Sequence, residues 1–387
     1  MSSNWSPRYV PGGLAPDKAR FFPGARPLGR RVRRMRKTAI VLFNLGGPDR
    51  PEVVRPFLFN LFNDPAIIDA PGPLRWLLAQ TISRRRAPIS RKIYQELGGG
   101  SPLLANTRAQ AEALQAALNA RGGASEFKVF IAMRYWHPMS DETARAVMAH
   151  GPDQVVLLPL YPQFSTTTTG SSVTDWTRAA AKAGLTTLTR SLCCYPTQPG
   201  FIAEVAALLR TALAEAGAEV GAEAGDGPRV LFSAHGLPKK IVARGDPYQW
   251  QIEQTAAAVV AALGAADLDW RVCYQSQVGP LEWIGPSTEA EIARAGAEGR
   301  SLIVVPIAFV SEHSETLVEL DIEYRRLAEA KGVPSYARLA TVDTGAAFIE
   351  GLAELVRAVL AGERACCSQD GGRLCPGQWR GCPQAAV

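Results

Sequence analysis

The chain alternates between short, continuous apolar runs and longer segments in which apolar residues recur with helical spacing. The continuous runs are rich in β-branched residues, which is typical of strands buried on both faces of a parallel sheet. They lie at 38–44, 127–135, 154–160, 229–234, 270–275 and 301–310. The helical segments lie mainly at 104–121, 200–216, 247–263 and 344–361. This alternation predicts an α/β fold with parallel sheets and helices on their faces.

The strand-and-helix pattern runs through twice, and its second pass begins after a small, polar, turn-rich stretch at 215–228. We therefore predict two similar Rossmann-like halves, each a parallel sheet flanked by helices, with an active-site cleft between them. We assign 38–200 to the N-terminal half and 201–362 to the C-terminal half, with a basic extension at 1–37 and a tail at 363–387. No GxGxxG or P-loop pattern stands between a strand and a helix, so we expect no nucleotide cofactor.

The most informative stretch is 301–326, where an apolar run ends abruptly in polar residues. In open α/β sheets the crevice beyond the carboxyl ends of the strands is where ligands bind, and this one holds His313 and Glu315. A helix would place the acidic residues of this stretch on one face. They are Glu312, Glu315, Glu319 and Glu323. A row of carboxylates beside a histidine is unfavourable unless a cation compensates it, so the stretch predicts a path for a metal ion.

A second histidine, His235, follows the apolar run at 229–234, at the carboxyl end of another predicted strand. A neutral imidazole accepts a proton or binds a divalent metal, and a nearby carboxylate raises its proton affinity. One histidine and one glutamate are too few for a structural zinc site, which closes four ligands around the ion. They suit a site that holds a divalent ion in passing.

The net charge of +6 is concentrated at one end of the chain. Residues 1–37 carry ten Lys and Arg against one Asp, and the remainder carries 32 basic and 35 acidic residues. The basic arm lacks an amphipathic pattern, so we interpret it as a disordered extension rather than as a targeting peptide or a lipid-binding arm. The mildly acidic body gives no reason to expect a nucleic-acid partner.

Residues 71–86 form an apolar segment that ends in three arginines. Two interpretations are open. The segment is a helix of the core, or it is an exposed lip that places Trp76 at a membrane interface and its arginines on lipid phosphates. No apolar run in the chain reaches the roughly 18 residues that a membrane span requires.

The cysteines are distributed unevenly along the chain. Three lie in the body, at Cys193, Cys194 and Cys273. Four crowd into the tail, at Cys366, Cys367, Cys375 and Cys382. No signal peptide is recognisable, so we expect a reducing compartment and no disulfide framework.

Seven short motifs occur in order between residues 38 and 360, and together they resemble those of the ferrochelatase family. They are FNLGGP at 43–48, GGGSP at 98–102, MRYWHP at 133–138, LLPLYPQFSTTTTGS at 157–171, SAHGLP at 233–238, YQSQVGP at 274–280 and SEHSETLVELD at 311–321. Each motif alone has moderate specificity, but seven in register are a strong signal. The resemblance implies a doubled Rossmann-like enzyme of the terminal step of haem biosynthesis. Such an enzyme inserts Fe²⁺ into protoporphyrin IX, releases two protons and needs no nucleotide or redox cofactor.

The resemblance also implies roles for individual residues. His235 is expected to be the base or iron ligand that faces the pyrrole nitrogens, and Glu315, with His313 beside it, is its partner on the other side. Glu319 and the acidic row are expected to relay protons or iron. The residues expected to wall the porphyrin slot are Leu45, Tyr135, Trp283 and Phe309. The residues expected to contact the porphyrin or its propionates are Arg86, Tyr94, Ser101 and Arg134.

Some ferrochelatases carry a [2Fe–2S] cluster, and thiolates suit such a cluster. The resemblance therefore implies cluster ligands among Cys366, Cys367, Cys375 and Cys382. Adjacent cysteines are awkward as joint ligands, so Cys193 or Cys194 is an alternative source of one ligand. A zinc site and free thiols are the other interpretations of this tail.

The segment at 71–86 matches the apolar lip of the family. It implies a cytoplasmic enzyme at the surface of the inner membrane, which takes its porphyrin from the membrane or from the preceding porphyrinogen-oxidising enzyme. Two alternatives remain: a coproporphyrin III or cobalt chelatase of the same fold, and a non-catalytic tetrapyrrole or iron carrier. His235 and Glu315 count against the carrier, and the apolar lip favours protoporphyrin over the more carboxylated coproporphyrin.

Overall fold

A computed structural model describes residues 35–121, 125–220 and 227–384. Its strands are, in chain order, β1 (Arg36–Asn44), β2 (Ser125–Met133), β3 (Gln154–Pro159), β4 (Thr189–Leu192), β5 (Arg229–His235), β6 (Trp270–Gln275), β7 (Leu302–Pro306), β8 (Tyr336–Arg338) and β9 (Cys366–Cys367). The basic arm predicted at 1–37 lies almost entirely outside the described residues.

The strands form two sheets in which every neighbouring pair is parallel. The first sheet has the order β2–β1–β3–β4–β9, and the second has the order β6–β5–β7–β8. The central strands β1, β3, β5 and β7 are buried along nearly their whole length because helices cover both faces of each sheet. This burial explains why their sequences are continuous apolar runs.

Helices connect the strands and pack on both sheets. They are α1 (Val54–Phe62), α2 (Gly72–Glu96), α3 (Leu103–Ala120), α4 (Ser140–His150), α5 (Ser171–Lys182), α6 (Pro199–Val220), α7 (Lys239–Ala243), α8 (Tyr248–Leu263), α9 (Thr288–Ala297), α10 (Tyr324–Ala330) and α11 (Ala346–Ala361). A 3₁₀ turn, Pro51–Val53, precedes α1, and π-type helices, Thr166–Gly170 and Glu315–Glu323, precede α5 and α10. The predicted division of the halves at residue 200 falls at the start of α6 and remains a prediction.

The predicted strand at 301–310 is too long. β7 ends at Pro306, and the chain then turns. Ile307 and Val310 are nevertheless buried, so the apolar run reflects burial beyond the strand as well as within it. Gln110 on α3 holds this turn by donating to the carbonyl of Val310 at 2.8 Å. The turn is therefore fixed from the N-terminal part of the chain.

The segment at 71–86 is the first part of one long helix, α2, which continues to Glu96. Its apolar side chains point outward: Leu74, Trp76 and Leu77 are 50%, 51% and 57% exposed. The interpretation of this segment as a core helix is therefore wrong. A run of large apolar side chains on one exposed surface is typical of a site that meets an apolar partner.

The cysteine-rich tail belongs to the first sheet. Its strand β9 pairs in parallel with β4, so that Cys366 lies opposite Ser191. Further on, the backbone N–H of Gly381 donates to the carbonyl of Gly245 at 2.9 Å. A side chain at Gly245 would approach the backbone of Arg380 to 2.8 Å, so this close contact requires glycine. The tail thus contacts both the first sheet and the turn that precedes α8.

Candidate active site

Two neighbouring strands of the second sheet end at the same edge, and each leads to a histidine there. His235 is the last residue of β5, and His313 follows β7 after a short turn. Because parallel strands share their carboxyl edge, the two loops meet. Glu315, the first residue of the second π-type helix, contacts His235, with its Oε2 3.1 Å from Nδ1.

The His235–Glu315 pair is partly exposed to solvent. The side chain of His235 is 43% exposed and that of Glu315 is 30% exposed. Since Glu315 occupies Nδ1, the other ring nitrogen, Nε2, is the one available to a substrate or a metal ion. The hydroxyl of Tyr248 donates to the carbonyl of His235 at 3.1 Å. The backbone beneath the imidazole is therefore fixed as well as the ring.

The two members of the pair shift each other's pKa in opposite directions. Burial alone would lower the pKa of His235, but the Glu315 carboxylate outweighs burial and raises it, and Glu319 adds to the effect. Burial alone would raise the pKa of Glu315, but the charge and hydrogen bond of His235 lower it to about 2. Glu315 therefore stays ionised and favours a proton on the neighbouring imidazole.

His313 has a different environment. Its Nδ1 is buried and has no hydrogen-bond partner within the described part of the chain. Its ring packs edge-on against Phe309, with 4.6 Å between the centroids. Burial lowers the pKa of His313 even though Glu315 and Glu312 oppose this effect. A neutral imidazole with a free nitrogen accepts a proton or binds a metal. The resemblance implied that Glu315, with His313 beside it, faces His235 from the other side of the macrocycle, whereas in the structure Glu315 contacts His235 directly.

Glu319 lies roughly one turn beyond Glu315 in the π-type helix, which puts both carboxyl groups on the same side. Its Oε1 accepts from the backbone of Ser276 at 2.8 Å, and its Oε2 accepts from Gln275 at 3.1 Å. The hydroxyl of Tyr324 lies 3.1 Å from Oε1. Burial and the charge of Glu315 raise the pKa of Glu319. Glu319 therefore holds a proton more readily than an ordinary glutamate does.

The prediction of one continuous row of four carboxylates is wrong. Glu312 turns to Arg338, whose Nη1 lies 2.6 Å from Oε1 of Glu312 and whose side chain is only 9% exposed. Glu323 lies at the far end of the helix and is exposed. The protein's own arginine therefore compensates Glu312. Of the four carboxylates, Glu315 and Glu319 lie beside the histidines.

Arg134 and Tyr135, expected at the porphyrin, are committed to other contacts. Nη2 of Arg134 lies 2.9 Å from Oδ2 of the buried Asp64, and its Nε donates to Ser171 at 2.7 Å. Tyr135 is fully buried, and its hydroxyl donates to Asp64 at 2.7 Å. An arginine whose charge is already neutralised is a poor propionate ligand, and a fully buried ring is not a wall of a cleft. Both expectations are corrected.

Three of the other predicted residues lie close to the pair. The Tyr94 hydroxyl hydrogen-bonds Ser314, next to Glu315, and burial raises the pKa of Tyr94 to about 12. The ring of Trp283 packs against Gly236, where an added Cβ would meet it at 3.2 Å. Phe309 contacts His313 as described above. These three aromatic side chains therefore lie against one of the histidines or against a residue next to one.

Leu45, Ser101 and Arg86 lie further along the N-terminal part of the chain. Leu45 is half-buried against an apolar cluster formed with α1 and α2. Ser101 packs on Gly47, where a Cβ would approach Oγ to 2.5 Å. Arg86 is half-exposed on α2, and no acidic side chain of the described residues pairs with it. Arg86 therefore keeps a charge that an anionic group can use.

The sequence analysis missed several residues that position the site. Gln275 ends β6 and Ser276 follows it, and both hold Glu319, Ser276 with a left-handed backbone at φ 61°. They stand at a predicted strand end, so the same reasoning that found His235 applies to them. Tyr324 carried no such signal, because its contact with Glu319 follows from the π-type helical turn.

Five cysteines lie close to one another near β4, β9 and the tail: Sγ of Cys193 is 3.3 Å from Sγ of Cys194, and two further pairs are within reach of each other. Cys193 lies within hydrogen-bonding reach of Cys366, and Cys375 lies within hydrogen-bonding reach of Cys382. Cys367 points to the other face of its strand, where it joins the main apolar core. Hydrogen bonding by Cys375 lowers the pKa of Cys382 to about 6 although burial opposes it. Because Cys367 faces the apolar core, the adjacent Cys366 and Cys367 do not point into the same site.

Two further features bear on what the molecule binds. Within the described ranges, no group of three or more His, Cys, Asp or Glu side chains is arranged to hold a single metal ion. The described residues also include no helix with the length and apolarity that crossing a membrane requires.

Residues 37–360 match the family described as Ferrochelatase. The ferrochelatase of Caulobacter vibrioides is 53% identical over 347 residues, which cover 90% of this chain and 97% of that protein. That of Hyphomonas neptunium is 50% identical over 354 residues, which cover 91% and 96%. A solved structure, SirB from Bacillus subtilis with Fe³⁺, matches with a TM-score of 0.46 and 10% identity over 84% of this chain and 96% of that one. At this score the likeness carries no weight, and the fold rests on the two parallel sheets.

Proposed function

The chain belongs to the ferrochelatase family, and we propose that His235 and Glu315 are the residues with which it inserts ferrous iron into protoporphyrin. The observation that carries the proposal is the 3.1 Å contact between Nδ1 of His235 and Oε2 of Glu315 at the carboxyl edge of the second sheet. It combines a proton acceptor, an ionised carboxylate and partial exposure to solvent.

The reaction replaces two pyrrole N–H protons by one Fe²⁺ ion. In its neutral form, His235 accepts a pyrrole proton at Nε2, and the bond between the pyrrole nitrogen and hydrogen breaks as the iron–nitrogen bond forms. Glu315 stabilises the resulting imidazolium across Nδ1. Loss of that proton to solvent restores neutral His235 for the second pyrrole. The raised pKa of His235 makes it a stronger base than an ordinary histidine.

The ferrous ion is the substrate of this site. Glu315 is an anionic oxygen ligand and neutral His235 offers Nε2, a combination that suits a divalent ion of intermediate softness. With so few ligands, the protein holds the iron weakly and releases it to four pyrrole nitrogens. Phe309, Trp283 and Leu45 supply apolar surface for the macrocycle, and Arg86 takes over the propionate contact that Arg134 cannot make.

The test of this proposal compares iron insertion by the wild type, His235→Ala and His137→Ala. His137 is an exposed histidine that pairs with Glu142, which makes it a matched control. We expect His235→Ala to lower the rate by at least roughly 100-fold, the contribution of a general base. His137→Ala is expected to match the wild type. Rapid insertion by His235→Ala would refute the assignment.

The same assay run with two porphyrins tests the substrate. Protoporphyrin carries two propionates and coproporphyrin carries four, so the apolar surface of α2 favours the former. Wild-type turnover that is faster with protoporphyrin supports the proposal. A strong preference for coproporphyrin would replace the substrate while leaving the role of His235 intact.

The exposed apolar surface of α2 is the part of the molecule that we assign to a membrane. Leu74, Trp76 and Leu77 face outward, and three arginines, Arg84, Arg85 and Arg86, follow on the same helix. Apolar side chains next to basic ones suit the boundary between acyl chains and anionic headgroups. A poorly soluble porphyrin then passes from the lipid to the cleft directly.

Vesicles of mixed zwitterionic and anionic lipid test this assignment by cosedimentation. Leu77→Glu should weaken binding, and Leu188→Glu is the matched control, because Leu188 is also 57% exposed but lies outside α2. We expect the control to bind as the wild type does. Equal binding by both variants would refute the assignment of α2.

The tail is the part that we assign to a [2Fe–2S] cluster. A two-iron cluster takes two thiolates on each iron, and the candidate ligands are Cys193 with Cys366 and Cys375 with Cys382. Cys194, whose Sγ is 3.3 Å from that of Cys193, is the alternative to Cys193. When bound, the cluster supplies an iron–sulfur crosslink between β4, β9 and the tail. Cys367 faces the apolar core and has no part in it.

The visible absorption spectrum and the iron and sulfide content of the purified protein test the cluster. We expect sulfide, and visible absorption that Cys193→Ser removes and Cys273→Ser keeps. Cys273 is the control because it is fully buried on β6, in the second sheet, whereas the candidate ligands lie beside the first sheet and in the tail. A colourless protein without sulfide would exclude the cluster, and bound zinc would identify the alternative site.

A further inference from the structure

The hydroxyl of Tyr324 lies between two carboxyl groups. It is 2.9 Å from Oε1 of Glu289 on α9 and 3.1 Å from Oε1 of Glu319. A phenol has one proton, so it donates to one of these groups at a time. The second contact is a hydrogen bond only if the other carboxyl group is protonated and donates to the phenol. With both carboxyl groups ionised the phenol serves one of them at a time, and a proton added to either group allows both contacts to be hydrogen bonds.

Glu319 is the carboxyl group that favours this proton. It is buried next to Glu315, and the hydrogen bonds from Ser276 and Gln275 only partly offset the cost of its charge. Glu289 is half-exposed on α9, at the outer end of the three groups. The chain of side chains thus begins beside the His235–Glu315 pair and ends at the protein surface.

The surrounding charges leave this chain intact. Glu315 and His235 face its inner end, and Cys273 on β6 lies near its outer end. The neighbouring Glu291 is compensated by Arg271 and Arg294, each 3.7 Å away. These two arginines therefore engage a carboxylate outside the chain.

We propose that Tyr324 and Glu289 carry the protons released by metal insertion from the cleft to the surface. This inference rests on the proposed function, because that reaction releases two protons for each iron inserted. A proton from the imidazolium of His235 reaches Glu319 through water in the cleft. Glu319 then gives its proton to the Tyr324 oxygen while the Tyr324 hydroxyl gives its own to Oε1 of Glu289. Glu289 loses the proton to bulk water, and rotation of the phenol hydroxyl resets the chain.

The phenol takes part without ionising. Burial and the two neighbouring carboxyl groups raise the pKa of Tyr324 far above its ordinary value. A phenolate therefore does not accumulate at neutral pH, and the hydroxyl accepts one proton as it gives up another. Phenylalanine at this position keeps the ring and removes only the relay.

The test uses Tyr324→Phe and Glu289→Gln, with Glu329→Gln as the control on the exposed surface of α10. Iron insertion into protoporphyrin is measured at low buffer concentration, with and without added imidazole as a diffusible proton acceptor. We expect both relay variants to lose kcat at low buffer, by less than the roughly 100-fold that loss of a general base costs. Imidazole should restore kcat, and KM for porphyrin should stay unchanged.

The outcomes separate this inference from the proposed function. Relay variants that keep the wild-type kcat at low buffer would overturn it. A loss of kcat that imidazole does not restore, together with a lower Tm, would assign Tyr324 a structural role and overturn it as well. If the wild type inserts iron, either of these results overturns only the relay and leaves the proposed function standing. If the wild type inserts no iron, the relay and the proposed function are both overturned. The control variant is expected to behave as the wild type throughout.

Discussion

Replacing Glu315 by glutamine separates the contribution of the His235–Glu315 pair to stability from its contribution to catalysis. The charges lie 3.1 Å apart, which gives a Coulomb energy of about 1.3 kcal/mol in water and about 5 kcal/mol at an effective dielectric constant of 20. Because the side chains are 43% and 30% exposed, solvent screening favours the lower figure. Exposed ion pairs contribute about 0.2–1 kcal/mol. We therefore expect Glu315→Gln to reduce the free energy of unfolding by about 1 kcal/mol or less.

The expected effect on catalysis is much larger. Without the carboxylate, the pKa of His235 falls, and the imidazolium that forms during the reaction loses its counter-charge. Loss of a general acid–base function costs roughly 100-fold or more in rate, or about 2.7 kcal/mol of transition-state stabilisation. Neutral His235 then exists at lower pH, so the pH of half-maximal insertion should also move to lower values.

The assay measures kcat for iron insertion as a function of pH and Tm by calorimetry, for the wild type, Glu315→Gln and the exposed control Glu329→Gln. The loss of about 1 kcal/mol corresponds to a decrease in Tm of about 2–4 °C or less. The control should match the wild type in both measurements. The reasoning is refuted if Glu315→Gln keeps a kcat close to the wild-type value, or if its loss of activity simply follows unfolding.

Three further predictions concern stability. Arg338→Gln leaves the partly buried carboxylates of Glu312 and Asp321 without a counter-charge, so it should lower the free energy of unfolding in urea by about 3–5 kcal/mol. The control Arg364→Gln, at an exposed position, should leave that free energy almost unchanged. Gly200→Ala puts a Cβ 2.2 Å from a backbone oxygen and should cost about 1–3 kcal/mol. Gly217→Ala on the same helix meets nothing within 4 Å and should stabilise by about 0.5–1 kcal/mol. The Tm difference between wild type and Glu315→Gln should be greatest at pH 4.5–6.5. It should shrink as the pH falls towards about 2, because Glu315 then becomes protonated. It should also shrink as the pH rises through the raised pKa of His235, because the imidazole then loses its charge. A pH-independent difference would contradict this ion-pair account.

The fold follows from local patterns that the sequence displays. Continuous apolar runs identified the central strands to within a few residues; the run at 229–234 became β5, Arg229–His235. The run at 301–310 was overextended, because residues of a buried turn are as apolar as those of a buried strand. The ends of the predicted strands identified the residues of the site, because polar residues from separate loops lie together at the carboxyl edge of a parallel sheet.

The partners of charged side chains were the part that the sequence did not reveal. Arg134 pairs with Asp64, 70 residues earlier, and so is lost to the substrate. Glu312 pairs with Arg338, and Tyr324 reaches Glu289 on another helix. Such pairs depend on how elements pack in space, and residue spacing within one element carries no information about them.

The most direct test of the central claim is a single turnover of porphyrin-loaded enzyme. Protoporphyrin is bound first to the wild type and to His235→Ala, and its fluorescence confirms loading of both. Each complex is then mixed rapidly with Fe²⁺ under anaerobic conditions, and the absorption spectrum is followed. We predict that the wild type converts the bound porphyrin to haem, while His235→Ala retains the free-base spectrum. Conversion by the variant at the wild-type rate would contradict the account.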